Sequence, residues 1–180
     1  DNTFQSILPS MGEKRTIIKN EKNIRGTANC VKYLDDFIKS DEDVIIALDL
    51  DDCLFHTEAL QKVYDTYSKT GCWMTSSLFM YASSSRSSNW IPRYTENDYL
   101  MRNYRKHIWS YTHLRTYKAF LWKALDKNDL KGPDGQYTKY SGDRALYYPM
   151  LEMSSPDKIY HIDEILHYYN DINPLQEEKV

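Results

Sequence analysis

Cysteine is scarce in this chain. The three cysteines among its 180 residues, Cys30, Cys53 and Cys72, are too few and too scattered for a disulfide framework or a zinc site. This usage is typical of a reducing compartment. No apolar run approaches the length needed to cross a bilayer, and no signal peptide is visible. We therefore expect a cytoplasmic protein without a transmembrane segment.

The chain also lacks concentrated charge of either sign. It has 23 basic and 26 acidic residues, for a formal net charge of -3, and no basic block. We therefore expect no extensive contact with a nucleic-acid backbone. A Gly-x-x-x-x-Gly-Lys loop for nucleotide phosphates is missing as well. The length predicts one domain, over residues 1–180, with a sizeable core.

The most informative stretch joins an apolar run to a group of carboxylates. Residues 44–48 are all apolar and suit a strand buried on both faces, as in a parallel sheet covered by helices. Asp49, Asp51 and Asp52 follow where open α/β sheets build their sites. The period of a strand places Asp49 and Asp51 on one side, where a divalent cation could join them. The alternative is a turn that only caps the next helix.

The order of these residues resembles the first motif of the haloacid dehalogenase-like superfamily. That motif reads Asp-x-Asp-x-Thr/Val-Leu after an apolar strand, and residues 49–54 read Asp-Leu-Asp-Asp-Cys-Leu. Cys53 stands where Thr or Val is usual. A second apolar run, 158–162, is followed by Asp163 and Glu164, which is similar to the fourth motif of the family. Glu164 replaces the more common Asp.

The resemblance implies two further motifs between these. Residues 108–112 can be read as a strand that ends in the hydroxyl of Thr112, similar to the second motif. The rival is 78–84, which also ends in hydroxyls but continues into a Ser-rich run typical of a loop. For the lysine of the third motif we favour Lys139, which follows a Gly-Pro-Asp-Gly turn, with Lys131 as the alternative.

The resemblance implies an α/β fold with a Rossmann-like, three-layer parallel sheet. Its core would comprise about 27–56 and 108–175. Residues 57–107 do not continue a simple alternation of strand and helix, and they contain amphipathic helical patterns. We interpret them as a mainly helical cap inserted over the site. The alternative is that these helices complete the core.

The activity implied by the resemblance is that of a magnesium-dependent phosphomonoesterase. Asp49 would attack phosphorus to form an aspartyl-phosphate, and Asp51 would protonate the leaving oxygen and then activate water. The Mg²⁺ ion would be held by Asp49, the backbone carbonyl of Asp51, Asp163 and Glu164. An acid two residues after the nucleophile favours phosphate chemistry over dehalogenation.

Three other side chains and the partners complete this hypothesis. Thr112 and Lys139 would hold the phosphoryl oxygens, and His56 would contact the leaving group. A weaker resemblance, to phosphatases that intracellular bacteria deliver into host cells, includes the Gly-Cys-Trp segment at 71–73. It implies delivery into a host cell and a phosphoprotein substrate carrying phosphotyrosine. The alternative function is a catalytically degenerate module of the same fold that binds a protein partner through its Tyr-rich insert.

Overall fold

A computed structural model describes residues 16–174, so residues 1–15 and 175–180 of the predicted domain lie outside the described part. The helices are α1 (Gly26–Phe37), α2 (Ala59–Thr70), α3 (Glu96–Met101), α4 (Ala119–Ala124) and α5 (Gly142–Met153). The strands are β1 (Val44–Ala47), β2 (Cys53–Leu54), β3 (Met74–Tyr81), β4 (Arg115–Lys118) and β5 (Ile159–Tyr169). Short 3-10 helices lie at Ser88–Trp90, Tyr104–Lys106, Lys127–Leu130 and Pro156–Lys158. Within residues 16–174, every helix is too short or too polar to cross a membrane.

The five strands form one sheet in the order β1-β4-β3-β5-β2, curled into a half-barrel. Strands β3 and β5 pair in parallel, with Met74 opposite Ile159 and Tyr81 opposite Tyr169. The pairings of β1 with β4, β4 with β3, and β5 with β2 are antiparallel. Strands β1, β3 and β5 therefore run in the same direction, and their carboxyl ends point toward one edge of the sheet.

The prediction of a Rossmann-like, three-layer parallel sheet with a mainly helical cap is wrong. The sheet is mixed and mostly antiparallel. Segment 57–107, assigned to the cap, contributes β3, which lies at the centre of the sheet. The apolar run at 44–48 does form a strand, but that strand lies at an edge of the sheet beside an antiparallel neighbour. An apolar run of this length does not specify the direction of its partner, which explains the error.

The strands predicted for the middle and fourth motifs also differ in the structure. Residues 108–112 are irregular, whereas the rival segment 78–84 begins inside β3. Strand β5 does not end at the acids but continues through them to Tyr169. A register shift in its pairing with β3 places Asp163 and Glu164 in a bulge, where both side chains are exposed. A bulge admits polar residues into a strand because it removes them from the regular ladder.

Several helices follow from local signals in the sequence. The amphipathic patterns before residue 40 and after residue 58 correspond to α1 and α2. Thr95 caps α3 as its spacing to Asp98 predicts, because each side chain accepts a hydrogen bond from the other residue's backbone N–H. The segment before the last strand forms α5. These signals lie within a few residues of one another, so tertiary contacts do not decide them.

Helices cover both faces of the sheet. One face carries α1, α4 and α5 around a core that includes Trp122 and Tyr147. The other carries α2, whose Val63 and Tyr67 pack against β5. In β1, alternate residues pack on opposite faces, with Ile45 and Ala47 toward the first core and Val44 and Ile46 toward the second. The apolar run at 44–48 thus has packing partners on both sides of the sheet, and its carboxyl end leads into the candidate site.

Candidate functional site

The chain turns sharply after β1, and the turn consists largely of carboxylates. We call residues 48–52 the acidic turn. It is closed by a hydrogen bond from the backbone N–H of Asp52 to the carbonyl oxygen of Asp49, at 3.1 Å. The last residue of β1, Ala47, lies opposite Arg115, the first residue of β4. This strand pairing brings a buried arginine next to the acidic turn.

Arg115 is held by partners from two parts of the chain, the loop before β4 and helix α5. Its side chain is buried, with 6% of the residue exposed. Nη1 lies 2.7 Å from Oδ2 of Asp143, in the first turn of α5. Nε donates to the carbonyl oxygen of Tyr111 at 3.1 Å, and Nη2 donates to Nε2 of His113. The guanidinium also lies over the ring of Tyr147, 5.4 Å from its centroid. These contacts fix its orientation and, through it, the position of the Asp143 carboxylate.

The carboxyl group of Asp49 lies in a field of like charge. Asp49 is exposed at the surface of the turn, but the protein atoms around its carboxyl group raise its pKa. The carboxylates of Asp52, Asp143 and Asp51 raise this pKa further, whereas Arg115 lowers it. Four carboxylates therefore share one nearby guanidinium, which leaves an excess of negative charge. A divalent cation would relieve this repulsion.

The end of β5 is tied to the acidic turn by hydrogen bonds. The side chains of Asp52 and His167 are buried, and Oδ2 of Asp52 lies 2.7 Å from Nε2 of His167. The backbone N–H of Asn170 donates to Oδ1 of Asp52 at 2.8 Å. The amide of Asn173 donates to the carboxylate of Asp51. Because the side chain of Asp52 is buried and bonded, Asp49 and Asp51 are the members of the turn that face a solvent-borne ligand.

Two histidines extend this network into a group with metal-ligand spacing. In residues 16–174, Asp52, His113 and His167 are the group of three such residues whose ligand atoms all lie within 4.8 Å of one another. Burial, Arg115 and His167 hold the pKa of His113 well below its usual range, so its ring is neutral as metal binding requires. Imidazole ligands favour Zn²⁺ over Mg²⁺. Without a metal, the ligand atoms of this group already have hydrogen-bond partners. Nε2 of His113 accepts from Arg115, and Nε2 of His167 lies within hydrogen-bond distance of Asp52.

The acids predicted for the fourth motif have other partners. Oδ1 of Asp163 lies 2.5 Å from Nη2 of Arg93. Oε2 of Glu164 lies 2.7 Å from Nζ of Lys62, on α2. Both acids are outside the group with metal-ligand spacing found among the described residues. Asp49 and Asp51 are outside this group as well, but the carboxylates that act on the pKa of Asp49 are those of Asp52, Asp143 and Asp51 and not the two acids of β5.

The other predicted residues also lie apart from the carboxylates. Thr112 is buried, and its hydroxyl donates to the carbonyl oxygen of Ser77 at 2.7 Å. Lys139 is exposed on the loop before α5. His56 follows β2 and lies edge-on to Phe55, with ring centroids 6.2 Å apart. In the described part of the chain, no hydrogen bond or ion pair links Thr112, Lys139 or His56 to the acidic turn.

Sequence reasoning missed the residues that surround the turn. The fold brings Arg115 from β4, His113 from the loop before β4, Asp143 from α5 and His167 from β5. One local signal was available, because a charged Arg115 begins a strand that is otherwise buried. A buried arginine demands an anionic partner. The sequence does not say which of many acids provides it.

A cavity of about 540 Å³ lies beside this network, and we call it the aromatic pocket. Its lining residues are Trp90, Ile91, Arg105, Lys106, His107, Ile108, Trp109, Arg144 and Tyr148. Arg115 lies over the ring of Trp109, 5.8 Å from its centroid. Arg144 follows Asp143 directly in α5. The Arg115–Asp143 pair therefore lies between the pocket and the acidic turn, although neither of the two residues lines the pocket.

Comparison of the chain with protein-family models gave no match, and neither did comparison with curated proteins. These comparisons show no family for the chain.

Proposed function

We propose that the chain is a divalent-cation-dependent enzyme that transfers a glycosyl group to a hydroxyl-bearing acceptor. The donor would be a sugar activated by a diphosphate leaving group. The excess of carboxylates around Asp49, beside the Arg115–Asp143 pair, is the observation that carries the proposal.

The cation would bind at the exposed side of the acidic turn. Asp49 and Asp51 offer hard oxygen ligands, which suit Mg²⁺ or Mn²⁺. A cation held there keeps positions for phosphate oxygens and neutralises a departing diphosphate. The raised pKa of Asp49 supports this role, because a carboxylate that repels its neighbours gains most from a bound cation.

The charge around the turn favours reaction at a sugar carbon over reaction at phosphorus. Phosphoryl transfer spreads negative charge over the phosphoryl oxygens, which cationic side chains and metal ions normally stabilise. Arg115 is buried and already bound to Asp143, so it offers little to a phosphoryl group. Glycosyl transfer instead develops positive charge at the sugar ring, which carboxylates stabilise. A site rich in acids and poor in available cations fits the second case.

Asp143 has the position expected of a general base. Its side chain is half-exposed, at 48%, while the buried Arg115 fixes its carboxylate. An acceptor in the aromatic pocket would lie near this carboxylate, because Trp109 of the pocket packs against Arg115, to which Asp143 is bound. The acceptor oxygen would attack the sugar carbon and lose its proton to Asp143. The bond from that carbon to the diphosphate oxygen would break, and the electron pair would leave with the cation-bound diphosphate.

A phosphomonoesterase that uses Asp49 as its nucleophile is a second candidate. The pair Asp49 and Asp51 at the end of β1 favours it, as the residue order does. The carboxyl groups would then act on a phosphate monoester with Mg²⁺ bound between them. Two other residues expected for this activity do not favour it. The hydroxyl of Thr112 is bound to Ser77, and the carboxylate of Asp163 is paired with Arg93. A protein-binding module that uses exposed tyrosines such as Tyr64 is the non-enzymatic alternative.

The test compares nucleoside diphosphate sugars, each supplied with glucose, glucuronate or glucose 6-phosphate as hydroxyl acceptor, with an aryl phosphate as substrates of the purified chain, with Mn²⁺, with Mg²⁺ and with chelator. We expect cation-dependent release of nucleoside diphosphate, lowered about 100-fold or more in Asp49→Asn and Asp143→Asn. Asp163→Asn is the matched control and should keep its activity. Aryl phosphate hydrolysis that needs Asp49 but not Asp143 would favour the phosphatase instead. No turnover of either substrate class, with or without cations, would contradict both enzymatic candidates.

A further inference from the structure

We infer that the aromatic pocket binds a saccharide that carries an acidic group. The identification of this saccharide as the acceptor rests on the proposed function. The binding of the saccharide does not rest on the proposed function. Binding depends on the residues that line the pocket and not on the carboxylates of the acidic turn.

The charges that line the pocket have one sign. Arg105, Lys106 and Arg144 contribute three cations, and no Asp or Glu is among the residues that line it. Lys106 and Arg144 are exposed and have no ion-pair or hydrogen-bond partner for their side chains among residues 16–174. The chain as a whole has a slight excess of acids, at -3. A local excess of unpaired cations on such a protein attracts an anion.

Arg105 is held in place by its neighbours. Its Nε and Nη2 donate to the two carboxylate oxygens of Glu152 at 2.5 and 2.9 Å. Its guanidinium also lies over the ring of Tyr148, 5.4 Å from the centroid. Arg105 therefore forms a rigid part of the wall. The unpaired cations Lys106 and Arg144 are the groups that can turn toward a ligand.

Apolar and aromatic surface surrounds these cations. Trp90 is 59% exposed and Ile108 is 66% exposed, which leaves large apolar side chains in contact with water. Trp109 and Tyr148 pack edge to face, with ring centroids 5.1 Å apart. Aromatic faces carry a partial negative charge and attract the C–H groups of a sugar ring. A bare phosphate or sulfate ion would use the cations and leave this surface uncovered.

The size of the pocket limits the ligand. A volume of about 540 Å³ lies within the usual range for sites that bind small molecules. It suits one or two sugar rings. A nucleic acid would need a longer track of cations with stacking side chains along it. The lining residues therefore favour a small anionic saccharide over a polymer.

The experiment measures tryptophan fluorescence of the intact chain during titration with four small probes. These are glucose 6-phosphate, glucuronate, glucose and inorganic phosphate. We expect at least one of the two anionic sugars to bind about tenfold more tightly than both glucose and inorganic phosphate, since loss of a charge-assisted contact costs about one such factor. The double variant Lys106→Gln/Arg144→Gln should lose that preference. The matched control, Lys22→Gln/Lys39→Gln, removes two exposed cations near α1 and should keep it.

Each other result would overturn the inference. If glucose binds as tightly as the anionic sugars, charge plays no part in binding. If inorganic phosphate binds as tightly as they do, the aromatic surface plays no part. A fifth titration uses a single-stranded oligonucleotide, and tighter binding of it than of the anionic sugars would assign the aromatic pocket to nucleic acid. No binding of any probe would leave the pocket without a ligand of this class. A second readout needs no variant, because binding of the anionic sugar by the wild type should weaken with salt. Binding that salt leaves unchanged would contradict the inference, whether or not the variants fold. Failure of these tests leaves the transfer assay on Asp49 and Asp143 intact, and success does not depend on that assay.

Discussion

A buried guanidinium, that of Arg115, holds a half-exposed carboxylate, that of Asp143, with Nη1 and Oδ2 2.7 Å apart. The two partners of this ion pair differ in what else they contact. Arg115 also donates to Tyr111 and His113 inside the protein, whereas half of the Asp143 side chain faces solvent. The pair is therefore asymmetric, since Arg115 organises the interior while Asp143 presents an oriented acid at the surface.

This asymmetry predicts that two substitutions lower the free energy of unfolding by different amounts. Arg115→Met leaves the carbonyl of Tyr111 without this donor inside the protein, so the free energy of unfolding should fall by about 3 kcal/mol. Asp143→Asn removes the charge that pairs with the buried Arg115 but keeps an oxygen that can accept from Nη1, so it should cost less, about 1.5 kcal/mol. Urea denaturation of the two variants and the wild type measures both values. Equal losses would mean that Asp143 is as important to folding as Arg115.

A divalent cation should stabilise the folded chain through the acidic turn. Mn²⁺ or Mg²⁺ should raise the melting temperature, because a ligand that binds only the folded state shifts the unfolding equilibrium. Asp49→Asn should abolish this shift. Without cation the same variant should be at least as stable as the wild type near neutral pH. The reason is that the raised pKa of Asp49 makes its ionised form unfavourable in the folded state.

The control for this prediction is Asp163→Asn, which removes an exposed acid paired with Arg93. We expect it to keep the cation-induced shift in melting temperature. If Asp163→Asn loses the shift while Asp49→Asn keeps it, the cation does not bind at the acidic turn, and the assignment of the turn as the cation site is wrong.

The sequence predicts those structural elements whose interactions join residues close together in the chain. Helices α2 and α3 follow from signals that lie within one or two turns, such as Thr95 and Asp98. Strand β1 follows from its apolar run. Its neighbour does not, because the pairing of Ala47 with Arg115 joins residues far apart in the chain. The parallel sheet was expected from a motif at one strand, and one strand does not determine the direction of the next.

The same distinction applies to the site. The carboxylates at 49–52 are contiguous, so the sequence identifies them as a group and places them after a strand. Arg115 and Asp143 reach the group from β4 and α5, and only the fold brings them there. For Asp163 the sequence predicts a place in the site that the structure does not show. It follows an apolar run as Asp49 does, but a bulge in the middle of β5 turns it toward Arg93.

Asp52 and Asp51 are adjacent in sequence but should differ in their effect on stability. The side chain of Asp52 is buried and bonded to both His167 and the backbone of Asn170. Asp52→Ala should therefore lower the free energy of unfolding by about 3 kcal/mol, because it leaves a buried imidazole without its partner. Asp51→Ala, at an exposed position, should cost less than about 1 kcal/mol. Guanidinium denaturation of both variants provides the comparison, and the opposite ranking would contradict the assignment of Asp52 to the interior.

Stability should fall as the pH is lowered from about 6.5 toward 4, and His161 should be one cause. Burial, and then the nearby charge of Arg93, lower the pKa of His161 to about 4, while Asp163 opposes them. The folded chain therefore keeps this ring neutral in a pH range where the unfolded chain, with a pKa near 6.5, binds a proton. The contribution of His161 is present above that unfolded pKa and is lost as the pH falls through the window. His113, whose pKa is also lowered, acts in the same direction.

The variant that isolates this effect is His161→Asn, which offers Ser76 a polar atom in place of the Nδ1 that lies 2.9 Å from its hydroxyl. Its free energy of unfolding, measured by urea denaturation at several pH values, should fall less steeply between pH 6.5 and 4.5. The difference in slope should approach, but not exceed, about 1.4 kcal/mol per pH unit, the value for one proton. Carboxylates with a lowered pKa, such as Asp98, lose their contribution to stability mainly below pH 3.8, the usual pKa of this group, and so fall outside the window. Parallel curves for variant and wild type would show that His161 binds its proton equally in the folded and unfolded chain.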